Sequence, residues 1–309
     1  ESLNRNFTDG QGHREASGLP CTSAVVRNER GSSQEAGKES LRSVFHRQAL
    51  HGGSWEAAGV RADIELDPKT NNLVRIGAPS MLNPVDLHAI EAALAVKDSV
   101  GGTVTLISMG MATAADAMRD GIAMGADKGV LVSDERMAGS DTLATGKILA
   151  KVIEKIGSVD LVFTGRQSTD GDTGQIPPAV AQRLGMSLLT YAEEVEATAD
   201  GLIITRKNRG GTEKVKATLP LVCSVSETAN TLRSANIRGK MNAKKAVFDT
   251  WRLEDLGLAP EEAGKAGSAT AVAGVFAPEK HTVGIMIEGA DEKAAIAELF
   301  KKLAADHIV

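Results

Sequence analysis

"DTLATGKILAKVIEKIGSVDLVFTG", residues 141–165, changes its hydrophobic period partway along, and that change decides the fold. Up to Gly157 the apolar positions Leu143, Ile148, Leu149, Val152, Ile153 and Ile156 recur at helical spacing and form one stripe. "DLVFTG" (160–165) is instead a short continuous apolar run, the mark of a strand covered on both faces. Upstream, "GVLVSD" (129–134) and "GTVTLISMG" (102–110) read as strands of the same kind, with a helix over 112–125 between them. Before those, "NPVDLHAIEAALAVKDSVG" (83–101) puts Leu87, Ile90, Ala93, Leu94 and Val96 at helical spacing. Asn83 is its candidate cap and Pro84 its first helical residue. The alternation predicts an α/β fold, a mostly parallel sheet with helices on both faces. "DIELDPKTNNLVR" (63–75) suits two short strands joined by a turn.

Composition narrows the function. At 309 residues, 42% apolar and 24% charged, the chain suits one large or two medium domains with real cores. A net charge of −5 and 3% aromatic residues argue against a nucleic-acid partner. No run is long enough to insert in a membrane and no signal segment opens the chain, so a cytoplasmic protein is expected, with the mitochondrial matrix as alternative. Acids such as Asp9, Glu15, Glu29 and Glu35 oppose a transit peptide. The two cysteines, Cys21 and Cys223, give neither a disulfide framework nor a metal site.

Residues 1–61 differ from the rest. They are rich in Ser, Gly, Glu and Arg, offer only "TSAVV" (22–26) as a candidate strand, and are expected to be poorly ordered. "GSSQEAGKES" (31–40) is no phosphate loop: it has one residue too many between its glycines and Glu39 where Ser or Thr is needed.

The second half reads as strands from Met186 to Val225, with turns at Asp200-Gly201 and Gly210-Gly211, extending the sheet antiparallel. "SETANTLRSANIRGKMNAKKA" (226–246) then scatters Leu232, Ile237 and Met241 among basic residues. Either it is a solvated basic loop or it offers an apolar anchor to a partner. "GKAGSATAVAGVFAPEK" (264–280) is too small-residue-rich to make a core, and "DEKAAIAELFKKLAADHIV" (291–309) is amphipathic through Ile296, Leu299, Phe300 and Leu303. Such an arm is expected to lie across another chain.

In open parallel sheets ligands bind at the carboxyl ends of strands. Three loops converge there: "PSMLNPVD" (79–86), "ISMGM" (107–111) and "FTGRQSTDGDTGQ" (163–175). None has the G-x-G-x-x-G spacing of a dinucleotide dehydrogenase. In the third, Gly171 and Gly174 permit a nest of backbone amides, Thr173 adds a hydroxyl, Arg166 adds charge, and Pro177 suits the first turn of a following helix. Asp170 and Asp172 would cap amides or accept from a ribose hydroxyl. Residue types leave two readings open, a nucleotide cradle or an ordinary capped turn. His88, His281 and His307 have no motif around them and read as surface residues.

Taken together, "DPKTNNLVR", "NPVDLHAIEAAL", "AMGADKGVLVSD", "DTLATGKILA", "DLVFTGRQSTDGDTGQIPPAVAQRLG" and "LRSANIRGKMNAKKA" resemble, in order, the beta subunit of electron transfer flavoprotein. The resemblance runs over residues 62–309. It implies a sheet of adenine nucleotide α-hydrolase type with an antiparallel extension and a C-terminal arm. It also implies a carrier subunit with no catalytic side chain, paired with an alpha subunit whose FAD shuttles electrons from acyl-CoA or other flavin dehydrogenases. The beta-subunit pocket holds AMP in some members, and in bifurcating members a second FAD that takes a hydride from NADH. "GRQSTDGDTGQI" and "SANIRGKM" look closer to the FAD-holding type. The implied nucleotide contacts are Asn83, Pro84, Val85 and Asp86; Ser108, Met109 and Gly110; and Gly165, Arg166, Gln167, Ser168, Thr169, Asp170, Gly171, Asp172, Thr173, Gly174, Gln175 and Ile176. The implied recognition loop is 225–241, with Ile237 as anchor beside Arg233, Arg238 and Met241, while Arg206 falls near the alpha-subunit flavin.

The resemblance divides the chain into an atypical segment 1–61, a nucleotide-binding domain 62–246 and an arm 247–309. The buried strand that opens the family is missing from 1–61, so foreign sequence from a frame or start-site error is expected there, with an exposed sheet edge and weakened nucleotide binding. The rival readings are a stand-alone regulator of universal-stress-protein type, which would not need 226–246, and an NAD-linked dehydrogenase, which lacks its glycine fingerprint.

Overall fold

A computed structural model describes residues 21–26, 43–51, 80–168, 171–198, 201–271, 287 and 291–308. The chain forms two compact units, Glu1–Ala273 and Gly274–Val309. In the first, β1 (Cys21–Val26), β2 (Ser43–His51) and β3 (Ser80–Leu82) precede α1 (Pro84–Val100), β4 (Val104–Met109), α2 (Ala114–Met124) and β5 (Lys128–Val132). Then follow α3 (Thr142–Ile156), β6 (Leu161–Gly165), α4 (Ile176–Leu184), β7 (Ser187–Thr198), β8 (Gly201–Asn208), β9 (Gly211–Ala217) and β10 (Leu221–Val225). The unit closes with α5 (Ile237–Lys245), β11 (Asp249–Trp251) and the single turn α6 (Gly264–Gly267). The second contains α7 (Glu292–Ala305), capped by Asp291, whose carboxylate accepts the Ala294 N–H at 2.8 Å.

The strands form one sheet in the order β11-β5-β4-β1-β2-β6-β10-β7-β8-β9, with β3 beside β2. The expected α/β architecture is present. β4, β5, β6 and β10 pair in parallel or through parallel neighbours, and their side chains alternate between two apolar layers. Leu106, Leu161, Phe163, Leu221 and Cys223 face Ile90, Leu94 and Met118 of α1 and α2. Ile107, Val162 and Val222 face Ile148, Leu149, Val152 and Val180 of α3 and α4. Both faces are covered, which is why these strands read as continuous apolar runs. The α1 helix starts on Pro84, where a missing N–H costs nothing, and stops at Gly101, whose φ of 82° ends the helix and whose N–H returns to Lys97 O.

Four expectations are corrected. Segment 1–61 supplies a second strand, β2, as well as the expected one, and β1 and β2 fill the centre of the sheet between β4 and β6, so that centre is not open. Second, 221–225 does not extend the antiparallel part: β10 inserts between β6 and β7, parallel to both, and of the strands after β6 it is β7, β8 and β9 that pair antiparallel; β1 also runs antiparallel to β2 and β4, and β3 to β2. Third, half of the basic segment is helical, as α5. Fourth, 249–251 adds an edge strand, β11, parallel to β5. The hairpin read over 63–75 lies outside the described residues.

Candidate functional site

The first turn of α1 meets the end of β6. Asp86 is buried there, and its Oδ1 accepts the Gly165 N–H at 2.9 Å. A Cβ at Gly165 would lie 2.0 Å from that oxygen, so only glycine allows the approach. Asn83, fully buried, donates its Nδ2 to Gln167 O at 3.0 Å while its own carbonyl accepts from Asp86 N and Leu87 N. The start of α1 and residues 165–167 are thus laced together.

Beyond Gln167 the loop is closed by its own polar groups. Ser168 Oγ accepts the Gly171 N–H at 3.3 Å, and Ser168 O accepts the Asp172 N–H at 2.9 Å. The Gln167 side-chain amide donates to the Asp172 carboxylate, which occupies that acid inside the loop. Asp172 and Gly174 both take left-handed backbone, with φ of 49° and 63°. Aspartate tolerates that conformation better than most residues. Gln175 N approaches Thr173 Oγ1 at 3.5 Å. Thr169 and Asp170 lie outside the described residues.

Together these residues wall a shallow cleft, open to solvent, lined by Asp86, Gly165, Gln167, Ser168 and the run from Thr173 to Pro177. The helix end beside it is a poor donor. Pro177 and Pro178 carry no N–H and Ala179 N is committed to Gln175 O, leaving Ile176 as the first-turn amide of α4 that is neither missing nor used within the helix. An anion there would depend on amides of the loop itself more than on the helix end. Among the described residues, the buried atoms Asn83 Oδ1, Ser108 Oγ, Thr164 Oγ1 and Arg166 Nε have no hydrogen-bond partner. Buried groups of this kind are normally satisfied, by ligand or water where not by protein. Arg166 also donates its N–H to Val225 O at 3.0 Å and pairs with Glu227 at 3.3 Å.

Not every anticipated residue gathers here. Pro84 and Val85 belong to the same first turn, Pro84 exposed and Val85 buried. Ser108, Met109 and Gly110 sit at the end of β4, which is not paired with β6, and are not among the residues that line the cleft. Met109 packs in the apolar layer with Ile107 and Val130, and Gly110 N donates to Val132 O at 2.8 Å. Arg206, on β8, is held by Glu213 across the strand pair at 2.6 Å and by Thr190 Oγ1 at 3.5 Å. The hydrogen bond from Arg206 pulls the Glu213 carboxyl below its usual range.

The segment after β10 is anchored along α1. Asn230 exchanges hydrogen bonds with His88, and Arg233 forks onto Glu91 at 2.9 Å and reaches Asp98 at 2.9 Å. Glu91 is nearly buried, and its hydrogen bonds push the Arg233 guanidinium pKa up. Arg233 is therefore spent inside the chain. Asn236 then caps α5, accepting the Gly239 N–H at 2.7 Å. Gly239 lies so close to α2 that a Cβ would come 2.2 Å from Ala123 O. Arg119 of α2 donates to the Ala243 and Ala246 carbonyls at the far end. On the outer side Ile237 is 80% and Met241 54% exposed, with Arg238 and Lys240 beside them. Reading residues alone missed Glu91, Arg119 and Asn236. The Asn-x-x-Gly spacing was the available sign of the cap.

Among the described residues no group of His, Cys, Asp and Glu is placed to hold a metal ion, and no helix is long and apolar enough to cross a membrane. Burial raises the Cys223 thiol pKa, so it is an inert core residue.

Comparison with known proteins adds the following. The electron transfer flavoprotein domain matches residues 70–256. Protein FixA of Azorhizobium caulinodans is 40% identical over 78% of this chain and 90% of its own. The caffeyl-CoA reductase-Etf complex subunit CarD of Acetobacterium woodii is 39% identical over 80% of this chain and 95% of its own. Electron transfer flavoprotein subunit beta of Thermoanaerobacterium thermosaccharolyticum is 38% identical, with the same coverage.

Proposed function

The chain belongs to the electron transfer flavoprotein family, as a beta-subunit-type electron carrier, and from that premise we propose that its cleft holds the adenylate part of FAD, with AMP as the competing occupant. The observation that carries this reading is the loop after β6 at the carboxyl end of a parallel strand: Gly174 takes left-handed backbone, and Ser168 and the run from Thr173 to Ile176 line an opening to solvent there. Bound FAD would supply hydride and single-electron transfer. The protein's share is to bind and orient it: amides of Thr173 to Ile176 for phosphate oxygens, Ser168 and Thr173 hydroxyls for further polar contacts, and Ile176 for an apolar floor.

We propose an alpha subunit as the companion chain and a flavin dehydrogenase as the docking partner. Exposed Ile237 and Met241 beside Arg238 and Lys240 support a partner with an apolar pocket rimmed by acids. The exposed Ile296, Leu299 and Phe300 of α7 support the alpha subunit as cover for the C-terminal unit. Similarity to the subunit named for a caffeyl-CoA reductase complex favours the FAD-holding, bifurcating branch, and relatives from bacteria favour a cytoplasmic location. Family membership leaves no support for the stress-protein or dehydrogenase readings.

Coexpression with an electron transfer flavoprotein alpha subunit tests this. Two flavins per heterodimer are expected, and one flavin plus AMP assigns the cleft to AMP. One flavin with no adenylate, and no uptake of either ligand on titration, overturns the reading.

A further inference from the structure

The carboxylate of Asp141 serves two distant parts of the chain. Its Oδ1 accepts the Ala144 N–H at 2.9 Å and so caps α3. Its Oδ2 accepts from Ala269 N at 2.8 Å, Thr270 N at 2.9 Å and Thr270 Oγ1 at 3.0 Å. The neighbours reinforce the connection: Asp141 N donates to Ser268 Oγ, and Gly264 N to Ser140 Oγ, each at 2.8 Å. Residues 264–270 are thereby fastened to the loop before α3, a few residues before the first unit ends at Ala273. Bonds to a carboxylate are the strong kind, so Asp141 holds that stretch firmly.

The next residue reaches toward the cleft. Thr142 Oγ1 donates to Gln175 Oε1 at 2.5 Å, and Gln175 lines the cleft. There is no slack between the two helices involved, since a Cβ at Gly146 of α3 would lie 2.7 Å from the Ala179 Cβ of α4. Cleft, Gln175, Thr142, Asp141 and Thr270 form one unbroken chain of contacts.

We propose that Asp141 and Thr142 couple the cleft to the root of the C-terminal segment, so that a nucleotide engaging Gln175 loosens residues 268–270. The coupling rests on the nucleotide reading of the cleft. A nucleotide that turns the Gln175 amide toward itself withdraws Oε1 from Thr142, frees the first residue of α3, and disturbs the cap through which the departing chain is held. Linkage then requires the reverse: weakening the hold on 268–270 tightens nucleotide binding by the same factor.

Amide hydrogen exchange on the full chain, with AMP as the probe and calorimetry to report its binding, tests the coupling. Saturating AMP is expected to speed exchange of the Ala269 and Thr270 amides about fivefold or more, the lower end of typical couplings. In Thr142→Val the AMP effect on those amides disappears while AMP still binds. Bound AMP with unchanged or slowed exchange in the wild type overturns the coupling. If AMP does not bind, the cleft reading falls separately, and the coupling is judged by Gln175→Ala without ligand: faster exchange at 269 and 270 sustains it, unchanged exchange overturns it.

Discussion

The Asp86 carboxylate holds the Gly165 amide at 2.9 Å, tying the first turn of α1 to the last residue of β6. Gly165→Ala drives a methyl group into that oxygen, and Asp86→Ala leaves a buried N–H without its acceptor. Each is expected to cost about 1–3 kcal/mol, the first as overpacking and the second as an unsatisfied donor. Urea denaturation checks the stability, and AMP or FAD titration is expected to show weaker binding in both.

Gly239→Ala forces α5 away from the Ala123 carbonyl of α2, again at about 1–3 kcal/mol. Because the contact is remote from the cleft, nucleotide affinity is expected to stay put while amides of 237–245 exchange faster. Equal loss at both places would refute the separation.

Ile237→Ala removes an exposed side chain, so unfolding free energy is expected to move by no more than about 0.5 kcal/mol. If Ile237 anchors a dehydrogenase, electron transfer from that partner weakens about tenfold, seen as a higher KM for the partner at similar kcat. An unchanged KM removes Ile237 from the docking surface.

Asp141 sets a pH dependence. Desolvation raises its pKa, but the N–H donors Ala144, Thr270 and Ala269 and the Thr270 hydroxyl outweigh this and hold it below the usual range. A carboxyl depressed in the folded state contributes stability above its unfolded value, about 3.9, and loses it as pH falls through the lower folded value. Below about pH 4, then, the wild type should lose stability more steeply than Asp141→Asn. Urea melts from pH 6 to pH 3 provide the comparison, and parallel curves would exclude Asp141 as a source.

What the residues revealed in advance follows their periodicity. α1, β4, α3 and β6 were legible because each buries a stripe or both faces, and burial is written in hydrophobic spacing. α5 was not, because its inward side is Gly239 and Ala243, too small to register as apolar. The apolar run 221–225 was visible as a strand, but five residues do not encode their neighbours, so its place between β6 and β7 was not. At the site, the turn after β6 was legible from its glycines and short polar residues, whereas the bond from Gly165 N to Asp86 was not, because it joins residues 79 apart. The removal of Ser108 to Gly110 from the cleft depends on which strands pair, and no local pattern records that.

The insertion of β10 sets a timetable for synthesis. Emerging from the ribosome, the meander β7-β8-β9 is complete before the strand that must sit between it and β6 has been made. It can fold on itself early through sequence-local pairing, but it cannot join the parent ribbon until residue 225 is out. During that interval the flank of β6 stands bare, the moment at which a nascent chain is most exposed to aggregation or to chaperone capture.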